Sequence, residues 1–117
     1  MAVSKALSDE NRVRIVALLQ ERSLCVCQIT AVLNLAPSTV SKHLSILRQA
    51  GLLEIEKRGR WIHCRLADKD APSAVKQALS WLRSSLKQTP RLDEDSRLLA
   101  KVLRISPERL CRKIIGC

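Results

Sequence analysis

The spacing of apolar residues changes once along this chain, and this change sets what the chain can fold into. Before residue 51 and after residue 70 the apolar residues recur every three or four positions, as on one face of a helix. Within 52–58 and 61–66 they alternate with charged or polar residues, as in half-buried strands, and Gly59 lies between these segments, as a hairpin turn requires. The sequence therefore predicts a mainly α-helical fold with a small β-hairpin.

The composition favours helices and a cytoplasmic location. The 117 residues include two Trp but no Phe or Tyr, so Leu, Ile, Val and Ala must fill the core, which favours helices over a large sheet. We find no run of about 18 apolar residues that could span a membrane. The first residues, MAVSKALSDENR, lack the apolar region of a signal peptide. We therefore expect a cytoplasmic protein with no membrane partner, whose five cysteines are free thiols.

Four helices are predicted before the hairpin. Residues 4–22 read as a short helix and a longer one, divided near Ser8. A short third helix covers 25–34, with Ser23 as its cap. The fourth begins at Ala36-Pro37-Ser38 and ends at Gly51, because Pro is tolerated in a first turn and Gly suits a C-terminal cap. The third and fourth helices have the length and spacing of a helix-turn-helix.

Three more helices are predicted after the hairpin. The first is opened by Asp70-Ala71-Pro72 and is broken at Thr89-Pro90. Another amphipathic helix covers 93–104, and Ser106 caps a last one with Pro107 at its first position. These last two helices lie beyond the element order of a winged helix-turn-helix, so the sequence predicts that fold with extra C-terminal helices.

The fourth helix and the hairpin are predicted to bind DNA. Ser, Thr and Lys at the start of the second helix of a helix-turn-helix suit base edges and phosphates in a major groove. The hairpin has no acidic residue after Glu56, so its positive charge suits a wing along the phosphate backbone. The predicted DNA-binding residues are Ser38, Thr39, Ser41, Lys42 and His43 on the helix, and Lys57, Arg58 and Arg60 on the hairpin.

The net charge of +10 also suggests a polyanionic partner, but it does not locate the site. Residues 1–67 carry 10 basic and 5 acidic residues, and residues 68–117 carry 11 and 6, so each part has a net charge of +5.

The Cys25-Val26-Cys27 pair is the predicted metal site. Thiolates select soft ions, whereas a structural zinc site usually needs two more widely spaced cysteine pairs. Amides at a helix N-terminus are expected to lower the pKa of such thiols. On a regular helix residues i and i+2 point about 200° apart, so both sulfurs can hold one ion only if the helix start unwinds. Such a distortion within the DNA-reading unit would make metal and DNA favour different conformations.

From Leu7 to Leu66 the chain resembles the ArsR/SmtB family of metal-responsive winged-helix repressors. The resemblance is carried by ALSDENRVRIVALL, LCVCQI, APSTVSKHLSILRQAGL and RGRWIHCRL. It implies a homodimer, formed through the N-terminal helix and the helix at 71–88, that binds double-stranded operator DNA. It also implies repression of a resistance operon that metal relieves. Arsenite-responsive members use LCVC as their metalloid motif, so the implied inducer is As(III) or Sb(III), with no organic cofactor.

The third thiol ligand stays open. The three-cysteine form of that motif has a further Cys three residues after the second, where this chain has Thr30. Cys64 is interpreted as a core residue, because free Cys is commonly buried. The remaining possibilities are Cys111, which we favour, the terminal Cys117, or a site with two sulfurs only.

Two other functions were weighed against a metalloid-responsive repressor. One is a thiol redox sensor in which Cys25, Cys27 or Cys111 forms a disulfide. The other is a winged-helix adaptor that binds protein through its basic hairpin. No nucleophile elbow, phosphate-binding loop or Cys–His pair at catalytic spacing is present, so we expect no enzyme. We expect residues 1–88 to form the DNA-binding and dimerisation domain, and residues 89–117 a helical extension of that domain.

Overall fold

The fold is mainly helical with one small sheet, as the apolar spacing predicts. A computed structural model describes residues 2–67, 70–85 and 89–114, and for Ile114 the backbone alone. Within these ranges the helices are α1 (Ala2–Ala6), α2 (Glu10–Leu18), α3 (Val26–Leu33), α4 (Pro37–Gln49), α5 (Ser73–Ser85), α6 (Pro90–Val102) and α7 (Pro107–Ile114). The strands are β1 (Leu24–Cys25), β2 (Leu53–Arg58) and β3 (Trp61–Leu66).

Local residues fix the start of α2, the end of α3 and the start of α4. Asp9 caps α2, because its Oδ1 accepts hydrogen bonds from the backbone N–H groups of Asn11 at 2.8 Å and Arg12 at 3.3 Å. Asn34 ends α3 in the left-handed region, with φ of 54°, a conformation that Asn tolerates better than most residues. α4 then begins at Pro37, as expected for Pro at a first helical position.

The sheet has a third strand that the sequence did not predict. The strand order is β1-β3-β2, and both pairings are antiparallel. β1 is only two residues long, too short for an alternating pattern to identify it. The prediction that the third helix begins at residue 25 with Ser23 as its cap was wrong. Cys25 is extended, with φ of −78° and ψ of 157°, and it is the residue before α3.

The sixth helix begins earlier than predicted. Residues 93–104 were expected to be helical after a break at Thr89-Pro90, but α6 starts at Pro90 with Thr89 as its N-cap residue. Pro90 therefore opens the helix, since its missing N–H costs nothing at the first position.

Helix α3 lies at the centre of the molecule. It contacts α2 and α4, strands β1 and β3, and the C-terminal helices α6 and α7. Because α3 contacts six other elements, a conformational change at its first turn would displace residues in most of the fold. The fully buried large side chains of the described residues are Ile15, Leu24, Ile29, Leu47, Leu52, Leu82, Val16, Val32, Val40 and Cys64.

A buried ion pair joins α6 to α2. Arg14 on α2 donates from Nε to Asp95 Oδ2 and from Nη2 to Asp95 Oδ1, both at 2.9 Å. The hydrogen bond that Arg14 donates to Asp95 is the main reason that the pKa of Arg14 is raised above its usual value. Both side chains are over nine-tenths buried. α6 is therefore fixed to α2 by a two-point contact.

Gly51 has a backbone conformation that other residues resist. Its φ is 81°, just after α4, and an added Cβ would lie 3.6 Å from Val75 Cγ2, which is ordinary contact. The strain of Gly51→Ala therefore comes from the backbone, and we expect it to lower the free energy of unfolding by about 1–2 kcal/mol. Gly51→Asn should cost less, because Asn enters this region more readily. Urea unfolding measures both changes, and equal costs would contradict the backbone explanation.

No helix within the described ranges is both long and apolar enough to cross a bilayer.

Candidate DNA-binding surface and thiol site

One face of α4 is polar and exposed. Val40, Leu44 and Leu47 are buried and His43 and Ile46 are half-buried, so they mark the inner side of the helix. The predicted DNA contacts Ser38, Thr39, Ser41 and Lys42 all lie exposed on this helix. The arrangement presents hydroxyl and ammonium groups from the first two turns of α4, which suits contacts to phosphates and base edges.

His43, also predicted to contact DNA, is half-buried and held by α2. Arg12 Nη1 donates to His43 Nδ1 at 3.3 Å, and Arg12 Nε donates to the backbone oxygen of Ala6 at 2.6 Å. Arg12 therefore links the end of α1 to α4. Arg12 was not among the predicted site residues, because no local sequence pattern distinguishes it from a solvent-exposed basic residue. A groove between α2 and α4 is lined by Asp9, Arg12, Ser38, Thr39, Lys42, His43 and Ile46.

The hairpin of β2 and β3 is basic and exposed at its tip. Lys57, Arg58 and Arg60 are all exposed there. Arg58 pairs with Glu56 at 3.4 Å. Arg60 pairs with Glu108 of α7 at 2.8 Å and lies over the Trp61 ring, 4.9 Å from its centroid. Exposed ion pairs contribute little, so DNA phosphates can replace these partners at small cost.

Cys25 and Cys27 lie on the two sides of the junction between β1 and α3. Both side chains are buried. Cys25 is extended in the strand, and its backbone N–H donates to Gln28 Oε1 at 3.0 Å, whereas Cys27 is in the first turn of the helix. Cys25 is therefore not part of the helix, and the separation of about 200° expected on a regular helix does not describe these two side chains. An ion held by both sulfurs would therefore join β1 to the first turn of α3 across this junction.

Burial controls the acidity of two of the thiols. The pKa of Cys27 is raised, first by burial and then by the neighbouring Cys25, and its own backbone hydrogen bond opposes this only in part. The expected lowering by the helix N-terminus was wrong for Cys27. Burial, with a smaller contribution from Cys25, raises the pKa of Cys64 to about 11. Cys64 is completely buried, which confirms its interpretation as a core residue.

Cys111 lies on α7, which packs against α3. The C-terminal helices thus fold back onto the helix that carries Cys27, as considered from the sequence. Cys111 is buried and disulfide-bonded, so the prediction of five free thiols was wrong for this residue. It can serve as a ligand only after that disulfide is reduced. Among the residues that the structure describes, no three His, Cys, Asp or Glu side chains already converge to hold a metal ion. Cys117 lies outside the described residues.

Comparison with known sequences identifies the helix-turn-helix region. The profile described as "Bacterial regulatory protein, arsR family" matches residues 9–54. The chain is 45% identical over 64 residues to the arsenical resistance operon repressor of Escherichia coli K12, a match over 54% of this chain and 55% of that protein. It is 38% identical over 78 residues to the arsenic resistance transcriptional regulator ArsR2 of Pseudomonas putida KT2440, covering 66% of this chain and 67% of that one.

A third relative is named for cadmium resistance, not for resistance to arsenic. A cadmium resistance transcriptional regulatory protein CadC homolog of Staphylococcus aureus is 35% identical over 77 residues, covering 65% of this chain and 64% of that protein. The chain spans little more than half the length of the E. coli repressor.

Solved structures agree with the fold. HlyU from Vibrio cholerae N16961 matches with a TM-score of 0.64 and 28% identity over 74% of this chain and 90% of that chain. The homodimeric winged helix-turn-helix DNA-binding domain of Mb0332 from Mycobacterium bovis matches with a TM-score of 0.61 and 24% identity over 76% of this chain and 79% of that chain. The chain therefore belongs to the ArsR family of bacterial regulatory proteins, and its fold is a winged helix-turn-helix followed by two further helices.

Proposed function

We propose that this protein is a transcriptional repressor that binds operator DNA as a homodimer and leaves it when As(III) or Sb(III) binds Cys25 and Cys27. One observation carries the proposal: the two buried thiols lie at the junction through which α3 joins the sheet. The E. coli relative named for the arsenical resistance operon adds support, since it is 45% identical to this chain over 64 residues.

The position of the thiols couples an ion to both DNA-reading elements. Cys25 belongs to β1, which pairs with the wing strand β3, while Cys27 belongs to α3, which contacts α4. When the two sulfurs move together, the movement passes to the wing through β1 and to the polar helix through α3. Ion and DNA then favour different conformations, and each must weaken the binding of the other by the same factor.

Cys111 is the candidate third ligand that this proposal retains. It lies on a helix in contact with α3, and its sulfur becomes available when its disulfide is reduced. We also assign residues 89–117 to the same domain as residues 1–88, because the buried pair of Arg14 and Asp95 fixes α6 to α2. The extension then acts as part of the DNA-binding domain.

Dimerisation through α1 and α5 is supported by an exposed tryptophan. Val75, Leu79 and Leu82 of α5 are buried within the chain, whereas Trp81 is 63% exposed. An exposed aromatic residue of this size is typical of an interface anchor. We expect Trp81→Ala to weaken the dimer by about 30-fold, the usual minimum for such an anchor. Sedimentation measures this, with Lys76→Ala on the same helix as the control, and an unchanged dissociation constant would exclude α5 from the interface.

Lys42 should contribute to operator affinity through phosphate contact. We expect Lys42→Ala to weaken binding to all DNA sequences by a similar factor and to reduce the slope of log affinity against log salt by about one. Lys101→Ala removes the same charge from an exposed position on α6 and should change neither. Fluorescence anisotropy at several salt concentrations measures both. If Lys42→Ala weakened As(III) binding instead, the two surfaces would be wrongly assigned.

A thiol redox sensor is the second candidate, and the disulfide at Cys111 favours it. The two functions separate when operator binding is measured with arsenite in the presence of reductant, and with a thiol oxidant in its absence. The proposed function predicts release by arsenite under reducing conditions. Release by oxidant alone would assign the redox function instead.

Because a cadmium-resistance relative also matches, the titration should include Cd²⁺ as well as As(III) and Sb(III).

A further inference from the structure

Three chemically reactive side chains lie in one row across the sheet. The register pairs Cys25 of β1 with His63 of β3, and His63 with Glu56 of β2. Residues directly opposite each other in antiparallel strands project from the same face, with Cβ atoms about 4.5–5.5 Å apart. The row therefore places a thiol, an imidazole and a carboxylate side by side. The neighbouring row of Leu24, Cys64 and Ile55 projects from the other face.

The imidazole in the middle of this row lacks a hydrogen-bond partner. His63 Nδ1 is buried, and within the described part of the chain it makes no hydrogen bond. A buried polar atom without a partner destabilises a fold, so such atoms are rare and need an explanation. A neutral imidazole has one nitrogen with a free lone pair, and that nitrogen is a common metal ligand.

The residues on both sides of His63 fit this explanation. On one side is Cys25, a soft sulfur ligand that the proposed function already places in the ion site. On the other side is Glu56, exposed on β2 and 3.4 Å from Arg58. Metal-binding imidazoles usually donate their second ring N–H to a carboxylate, which fixes the tautomer and the ring orientation. The register position of Glu56 suits that role.

We propose that His63 supplies a nitrogen ligand, through Nδ1, beside the thiolates of Cys25 and Cys27. This inference rests on the proposed function for the two thiols and adds a ligand to their site. Imidazole together with thiolate suits divalent thiophilic cations of the cadmium and zinc kind, whereas As(III) is held by sulfur. The chain then distinguishes two classes of ion: divalent cations use His63, and As(III) does not.

The site assembles when the junction changes. Cys25 and His63 are already neighbours across the sheet, and Cys27 joins them when the first turn of α3 opens. Two thiols lose their protons to solvent, two sulfur–metal bonds form, and neutral His63 donates its lone pair without losing a proton.

The test compares His63→Gln with Arg65→Gln in the full-length, reduced protein. Arg65 is two residues along on the same strand and face, and it pairs with Glu54 at 2.7 Å. We expect His63→Gln to weaken Cd²⁺ binding by about 10- to 100-fold, measured by chelator competition, and Glu56→Gln to weaken it less. As(III) affinity should stay at the wild-type value in both variants. Arg65→Gln should bind both ions as the wild type does.

A measurement on the wild-type protein tests the His63 ligand even if the variants misfold. In the ¹⁵N spectrum of the imidazole, Nδ1 of His63 should shift on addition of ¹¹³Cd²⁺ and show coupling to the metal, whereas As(III) should cause only the smaller shift of a neighbouring movement, without coupling. An unshifted Nδ1, or equal Cd²⁺ affinity in His63→Gln and wild type, would overturn this inference alone if As(III) still releases the operator. If Cys25→Ser also retained As(III) and Cd²⁺ binding, the proposed function itself would fail.

Discussion

Serine at either Cys25 or Cys27 should abolish release of the operator by As(III) while leaving operator affinity close to that of the wild type. The hydroxyl oxygen of serine is a hard, protonated group and cannot replace a thiolate as a ligand for a soft ion. The sulfur it replaces is buried at the junction of β1 and α3 and lies outside the predicted DNA-binding residues. The loss should therefore be confined to induction.

The measurement is operator-binding anisotropy titrated with As(III) under reducing conditions. Cys64→Ala is the matched thiol control, because Cys64 is a core residue and its removal should leave induction intact. That control should lower the free energy of unfolding by about 1 kcal/mol, the usual cost of a small cavity. If both serine variants still released the operator at the wild-type As(III) concentration, these two thiols would not form the inducer site.

Asp95→Ala should lower the free energy of unfolding by about 3–5 kcal/mol, because it leaves the charge of Arg14 buried without a partner. This is a large share of the about 5–15 kcal/mol that stabilises a typical domain. The structure contains a matched control between the same two helices. Arg91 of α6 lies 3.8 Å from Glu10 of α2, but both of those side chains are exposed.

Arg91→Ala should cost at most about 1 kcal/mol, since exposed ion pairs are weak. Replacing the buried pair as a whole, with Arg14→Met and Asp95→Leu together, should recover most of the loss, because the unpaired charge is then absent. Urea unfolding at neutral pH measures all of these variants. Equal losses for Asp95→Ala and Arg91→Ala would show that the buried contact does not hold α6 on α2.

Elements with strong local signals could be predicted from the sequence. The amphipathic spacing of the long helices and the alternation on both sides of Gly59 are repeated often enough to define period and turn. β1 could not be predicted, since two residues carry no period. The pair of Arg14 and Asp95 is separated by 81 positions, so no local pattern could indicate it. The contact of Arg60 with Glu108 was missed for the same reason.

The candidate site also combines local features, which the sequence reveals, with contacts between distant residues, which it does not. The spacing of Cys25 and Cys27 and the polar face of α4 are local features, and both are visible in the sequence. The raised pKa of Cys27 depends on burial by distant elements, which outweighs the local effect of the helix N-terminus. His63 could be placed on a strand face from alternation alone, but its neighbour across the sheet is Cys25, and that register required β1.

The central claim is that one chain cannot hold the ion on both thiols and the operator at full affinity. The most direct test follows both events in one sample of the reduced protein, with anisotropy reporting operator binding and sulfur-to-arsenic absorption reporting As(III) on the thiols. We expect the anisotropy to fall as the absorption rises. Excess operator should weaken As(III) binding by the same factor by which As(III) weakens operator binding. Full As(III) occupancy of Cys25 and Cys27 with operator affinity unchanged would contradict it.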